Sequence, residues 1–418
     1  MSFADIYFKR FNSKKEIIAE EPADDLFLAI VIPVFNEDKL CESLQSLKNC
    51  DLPEKSAEVI VIINSSEDTD KSITEKNRKT YELAKQFAKE NSNEKLKFYI
   101  LNFENFPRKF SGVGLARKTG MDEALHRFNF LNKPEGLIAG FDADALAEKN
   151  YLKEIENYFK QNPHINACSV NFEHPTEGQD FPENIYENII NYELHLRYFT
   201  EALRFANFPF AYHTIGSSFV VRADIYAKQG GMNRRKAGED FYFLQKIIPL
   251  GNYGEINNTT VFPSPRISDR VPFGTGAAIS KMIENKSDDF GTYDFESFII
   301  LKNFFRQIPD FFRNIDYNNI PEIIYKFLVI NEFEKDYAKI KSNSPNLQIF
   351  EKRFFDWFNA FRVIKFLNFA HEKYFSKKKV KEEATELLKN YHKNIIIPEK
   401  EKELLFLYRN IQNKRYEK

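Results

Sequence analysis

The chain has 418 residues, 43% of them hydrophobic and 29% charged. That supports a large apolar core and excludes a disordered chain, a collagen-like repeat and a small disulfide-stapled scaffold. Lys and Arg number 60 against 61 Asp and Glu, for a formal net charge of −1, whereas a general nucleic-acid coat needs a net basic field. Cys41, Cys50 and Cys168 are odd in number and lack CxxC spacing, so neither a disulfide framework nor a cysteine zinc site is expected. The first 25 residues lack a signal-peptide apolar stretch, and nowhere do about 18 apolar residues run together. The expected location is the cytoplasm, with peripheral membrane contact as the alternative.

Residues 1–25 are mixed and charged and read as a lead-in. Leu26–Pro33 (LFLAIVIP) is a continuous apolar run, as in a parallel strand buried on both faces. Phe35-Asn36-Glu37-Asp38 follows, then Leu40, Cys41, Leu44 and Leu47 at helical spacing, with Asn36 as the expected N-cap. Glu58–Ile63 is a second strand, ending at Asn64-Ser65-Ser66, and a helix is expected over Thr80–Lys89. Lys97–Phe103 is a third strand, Gly112–Phe128 a helix, and Gly136–Phe141 a fourth strand running into Asp142-Ala143-Asp144. Strands alternating with helices predict an α/β domain with a mainly parallel sheet. Further strands are expected at Ala167–Phe172, Ser217–Val221 and Tyr253–Phe262, and helices at Asn184–Arg204 and Glu239–Ile248. Beyond about Asp288 only helical periodicities remain, which places a domain boundary near 285–292.

Three short motifs carry chemistry. Asp142 and Asp144 lie two apart at a strand end, where two carboxylates repel unless a cation sits between them or one is protonated. Mg²⁺ is commonly held by one or two carboxylates plus substrate phosphates, so the pair suits a metal–diphosphate site. Alone, a solvated acidic turn explains it better. Asp240, in Gly238-Glu239-Asp240 at the start of a helix, has the chemistry of a general base for a hydroxyl; alone, a first-turn acid on the helix dipole explains it. Ile32–Glu37 (IPVFNE) closes the first strand. In open parallel sheets, ligands bind outside the carboxyl ends of the strands, and all three motifs fall there.

Taken together, IPVFNE, FDADA (Phe141–Ala145) and GGM…GEDFYFL (Gly230–Leu244) resemble the family 2 glycosyltransferases over about residues 26–265. The resemblance implies a GT-A type, Rossmann-like nucleotide-diphospho-sugar transferase domain; with the boundary read above, it spans 26–287 and leaves 288–418 as an all-helical C-terminal region. It implies transfer of a sugar from a UDP- or GDP-sugar to an acceptor hydroxyl, with inversion and with Mg²⁺ or Mn²⁺. Pro33, Phe35 and Glu37 would contact the nucleotide, Asp142 and Asp144 the metal and diphosphate, and Asp240 would be the base, with Glu239 orienting it or binding acceptor. The acceptor is left open among a glycan, a lipid and a small molecule, and no nucleic acid is expected.

The sequence departs from that pattern at two places. The second strand ends in Asn64-Ser65-Ser66 rather than an aspartate-rich turn; an amide can still read a base edge. No histidine follows Asp240 until His371. Arg266 and Arg270, in the glycine-bearing segment after the last strand, are therefore candidates for the diphosphate, closing over it as a lid. Gly112–Lys118 resembles the family's GxxxAR segment, and Arg117 either faces phosphate or is solvated. His213 is expected to be structural. The aromatic stripes around Phe298–Phe312 and Phe354–Phe361 read as helical core, with a membrane-surface face as the sharper alternative. Two other functions stay open: a nucleotidyltransferase, although PVFNEDK lacks its Gly-rich basic phosphate loop, and an inactive nucleotide-sugar-binding protein of the same fold.

Overall fold

The computed structural model describes residues 2–11, 16–267, 275–284, 291–392 and 395–414. The chain divides into two compact units. The first comprises 1–185, 214–280 and 413–418, the second 186–213 and 281–412.

The first unit is built on an eight-stranded sheet: β1 (Leu26–Val34), β2 (Ser56–Ser66), β3 (Leu96–Phe106), β4 (Leu137–Gly140), β5 (Leu146–Ala147), β6 (Ala167–Phe172), β7 (Phe219–Arg222) and β8 (Tyr253–Phe262), in the order β3-β2-β1-β4-β7-β6-β8-β5. All nine residues of β1 are buried. A fully buried Val, Leu or Ile side chain stabilises by roughly 1.5–3 kcal/mol, which is why this strand reads so plainly. The parallel half is β3-β2-β1-β4; β7 runs antiparallel to both β4 and β6. Its helices are α1 (Asp5–Phe11), α2 (Leu40–Lys48), α3 (Lys71–Asn91), α4 (Val113–Phe130) and α5 (Tyr151–Gln161), then, beyond the start of α6 (Glu183–Phe205), α7 (Ala223–Lys228), α8 (Glu239–Ile247) and most of α9 (Thr275–Glu284).

Four expectations are corrected here. The lead-in contains α1, whose Tyr7 hydroxyl donates to Asp122 Oδ1 on α4 at 2.6 Å, while Phe8 stacks on His126 with ring centroids 3.8 Å apart. Further along the lead-in, the backbone N–H groups of Ile17 and Ile18 donate to the Glu123 carboxylate, and Arg127 bonds both Glu58 and the Glu20 carbonyl. Asn36 is not the cap of α2: Lys39 precedes that helix, and Asn36 holds a left-handed φ of 51°, a conformation asparagine tolerates. α3 begins nine residues before the expected Thr80, because its buried stripe opens with the polar Asn77 and Thr80 before Ala84 and Ala88. Asp70 caps it, accepting from Ser72 N.

The second unit contains most of α6 and the helices α10 (Phe295–Phe305), α11 (Ile308–Phe311), α12 (Glu322–Ile330), α13 (Phe333–Ser342), α14 (Leu347–Trp357), α15 (Ala360–Lys373), α16 (Val380–Tyr391) and α17 (Glu401–Asn413). The fourth correction lies here: Gly291–Thr292 and Lys378–Lys379 form a short antiparallel pair beyond Asp288. The phenylalanine stripes are spent on the unit's interior, with Phe298, Phe304, Phe305, Phe354 and Phe358 all buried. A buried polar cluster lies on α6, where Glu193 accepts from Arg197 and Arg409. Gln412 Oε1 accepts from Arg197 at 2.8 Å and lies 3.2 Å from His213 Nε2. His213 also lies 3.2 Å from the Thr200 hydroxyl, and burial followed by the Arg197 charge pushes its pKa down to about 3. No helix among the described residues is long and apolar enough to cross a membrane.

Candidate active site

The site grows from the carboxyl ends of β1, β2 and β4. After Val34 the left-handed Asn36 turns the chain, and its N–H donates to Asn77 Oδ1 on α3 at 2.9 Å. Asn77 also bonds the Asn64 carbonyl and the Ser65 hydroxyl. This buried amide staples the ends of β1 and β2 together; it sits in a polar stretch of sequence that gives no signal. Pro33 is buried within β1 opposite Ile62, and Phe35 follows it, half-buried. Asn64 donates to the Val34 carbonyl at 2.8 Å, and its side-chain oxygen is buried without a partner.

At the end of β4 the Asp142 carbonyl accepts from Ala145 N, forming a tight turn, and the Ser43 hydroxyl on α2 bonds the Ala145 carbonyl at 2.7 Å. Both acids of that turn meet arginines. Arg117, on α4 and 2% exposed, donates to Asp142 Oδ1 at 2.8 Å, to Glu239 Oε1 at 3.1 Å and to the Gly216 carbonyl at 2.9 Å. Arg117 is thus neither solvated nor free toward phosphate: it ties the strand-end acid to the start of α8. Burial pulls its pKa down, but Asp142 and Glu239 outweigh this and raise it. Gly216 makes the approach feasible, since a Cβ there would lie 2.9 Å from both Arg117 Nη2 and Asp240 Oδ2.

Glu239 is buried on Arg117, and burial raises its pKa despite that partner. Asp240 follows Gly238, whose φ of 66° is the left-handed region that favours glycine. Asp240 Oδ1 accepts from Phe241 N at 2.7 Å. Burial first, and the Glu239 charge second, push its pKa up to about 7. A carboxylate so placed is poised to accept a proton near neutral pH.

Arg266 lies across the other acids. Its guanidinium bonds Glu37 and reaches Asp144 Oδ2 at 2.5 Å. Burial raises both Glu37 and Asp144 against the pull of that arginine. Glu37 is further fixed by Lys39 N, which donates to Oε1 at 3.0 Å. Arg270 and the rest of the 268–274 segment lie outside the described residues. His213 belongs to the polar cluster of the second unit.

The donor chemistry of Asp142 and Asp144 fits a hard divalent ion. Both are oxygen ligands on one turn, and their side chains are 36% and 21% exposed. Among the described residues no group of three or more His, Cys, Asp or Glu could hold a metal by itself, so phosphate and water would complete the shell, as is usual for Mg²⁺.

The sheet, parallel over β3-β2-β1-β4 with acids at its strand ends and with helices following, has the architecture of a GT-A type domain. Residues 29–230 match Glycosyl transferase family 2, so that stretch is a family 2 glycosyltransferase domain and the protein is a nucleotide-sugar-dependent glycosyltransferase. No curated protein matches it by sequence. Among solved structures it is similar to S. aureus TarS residues 1–349 in complex with UDP-GlcNAc, at 12% identity and TM-score 0.39, covering 79% of this chain and 92% of that one. The UDP complex of the same protein aligns at 15% identity and TM-score 0.37, covering 83% and 92%. The mannosyltransferase PcManGT from Pyrobaculum calidifontis, in complex with GDP-Man and Mn²⁺, aligns at 14% identity and TM-score 0.34, covering 99% and 94%.

Proposed function

We propose that the enzyme moves a sugar from a UDP- or GDP-sugar to an acceptor hydroxyl with inversion at the anomeric carbon, assisted by Mg²⁺ or Mn²⁺. One observation carries this reading: Arg117 joins Asp142, at the end of β4, to Glu239, beside Asp240. Donor and acceptor chemistry are thereby held on one guanidinium.

Asp240 takes the proton of the acceptor hydroxyl. The hydroxyl oxygen forms a bond to the anomeric carbon as the bond from that carbon to the diphosphate breaks, and the electron pair leaves with the nucleoside diphosphate. Glu239 does not reach substrate; it orients Arg117 and keeps Asp240 basic. Asp142 and Asp144 would hold the cation, which when bound supplies positive charge beside the leaving diphosphate. Arg266 releases Asp144 and Glu37 when a diphosphate offers it a better planar match. The unpartnered Asn64 oxygen accepts a base N–H, with Pro33 and Phe35 beside it. The chemistry resides in 26–287, with 288–418 as a helical region, and the enzyme works in the cytoplasm.

A panel of UDP- and GDP-sugars, scored for Mn²⁺-dependent donor hydrolysis, tests the reading; no turnover of any donor with or without metal overturns it. Arg266→Ala is expected to bind Mn²⁺ alone more tightly, because the competing guanidinium is gone, and to bind UDP or GDP several-fold more weakly. Calorimetric titration of each checks both signs.

A further inference from the structure

Two neighbouring loops, one of which leads into α8, are strongly basic. Pro107–Ser111 joins β3 to α4, and Asn233–Ala237 leads into Gly238-Glu239-Asp240. Together they carry Arg108, Lys109, Arg234, Arg235 and Lys236, all exposed, in a chain whose overall charge is close to zero. The loops abut: a Cβ on Gly114 would lie 2.2 Å from the Arg235 carbonyl oxygen, and one on Gly112 would lie 3.3 Å from Lys236 Cα. Asn233 Nδ2 fixes the second loop to the Glu239 carbonyl at 2.8 Å.

Most of these cations rest on rings. The Arg234 guanidinium lies 4.2 Å from the Phe110 ring centroid, Lys109 lies 5.4 Å from the same ring, and Arg235 lies 3.5 Å from that of Tyr242, two residues past Asp240. Among the described residues the carboxylate paired with the group is Asp68, which binds Arg108 at 2.8 Å. An arginine stacked on a ring keeps its N–H edge turned outward and its orientation fixed, which suits bidentate capture of phosphate or carboxylate. Repulsion among five cations is an unfavourable feature for a surface with no anion to meet.

We infer that these loops form an acceptor site for an anionic chain, a glycan or polyol bearing phosphate or carboxylate groups, whose anionic group docks on Arg234 and Arg235 while a neighbouring hydroxyl reaches Asp240. The inference rests on Asp240 being the base. The diphosphate of the donor is served separately, by Asp142, Asp144 and Arg266 at the strand ends.

The test uses the full chain and three probes: short-chain polyphosphate, hexagalacturonate and uncharged maltohexaose, titrated calorimetrically at low and high salt. At least one anionic probe is expected to bind about tenfold more tightly than maltohexaose, with the preference fading at high salt; which of the two binds distinguishes phosphate from carboxylate recognition. Arg234→Ala/Arg235→Ala is expected to lose that tenfold preference with unchanged UDP and GDP affinity and unchanged melting. Equal binding of charged and neutral probes, or binding of neither anionic probe, overturns the inference. So does a loss of nucleotide affinity in the double variant, which would assign the cluster to the donor. Donor hydrolysis is read separately, so failure here leaves the glycosyltransferase reading intact.

Discussion

Asp240→Asn is expected to keep the fold and nucleotide affinity while transfer falls by about 10²- to 10⁴-fold, the usual contribution of a general base. The wild-type rate should rise with pH through an apparent pKa near the 7 set by burial and Glu239. Glu239→Gln tests the cause of that value. It removes the charge beside Asp240, so the midpoint of the pH–rate profile should move to lower pH, with a milder loss of rate. The stability consequence has a definite sign. A carboxyl with a raised folded-state pKa holds its proton more tightly in the native chain, so its contribution is present at acid pH and is lost as pH rises through about 7. Asp240→Asn should therefore melt higher than wild type at pH 8 and close to it at pH 4. An active Asp240→Asn beside a dead Glu239→Gln would reverse the two roles.

The second large effect is expected from the strand-end acids. Asp142→Asn and Asp144→Asn should each abolish most Mn²⁺ binding measured by calorimetry with UDP or GDP present, and cut transfer by a comparable factor. The two should differ in stability. Asp142 is a partner of Arg117, which is 2% exposed, and removing one partner of a buried charge leaves the other poorly compensated. Asp144 pairs with the more exposed Arg266. Melting should fall clearly in Asp142→Asn and little in Asp144→Asn. Wild-type metal affinity in both would remove them as ligands.

Much of the first unit could be read from sequence because its central strands are buried on both faces. Leu26–Val34 and the interior of Ser56–Ser66 are nearly unbroken apolar runs, and the acids that matter stand directly at strand ends. What stayed hidden is held by polar groups. The start of α3 is invisible to hydrophobic periodicity because Asn77 and Thr80 occupy its buried stripe. The left-handed Asn36 follows from a hydrogen bond 41 residues away. From sequence Arg117 is open between phosphate and solvent because its partners, Asp142, Gly216 and Glu239, lie 25, 99 and 122 residues further on, and no local pattern encodes such a convergence. The antiparallel β7 is likewise a matter of tertiary pairing, since its four residues read as a strand in either direction.

The segment ahead of β1 bears on where this enzyme can be cut. Asp122, Glu123 and Arg127 are each less than 10% exposed on α4, and Tyr7, the Ile17 and Ile18 amides and the Glu20 carbonyl supply part of their bonding. A chain trimmed to begin at Leu26, close to the start of the family match, would keep every strand and every proposed catalytic side chain. It would nonetheless strip the Asp122 and Glu123 carboxylates of these hydrogen bonds, a hydrogen bond to a charged group being worth about 1.5–3 kcal/mol. Arg117 rides on that same helix. The trimmed enzyme should therefore be heat-labile and lose activity on warming before its sheet melts, so that the limits of the family match are narrower than the limits of the folding unit.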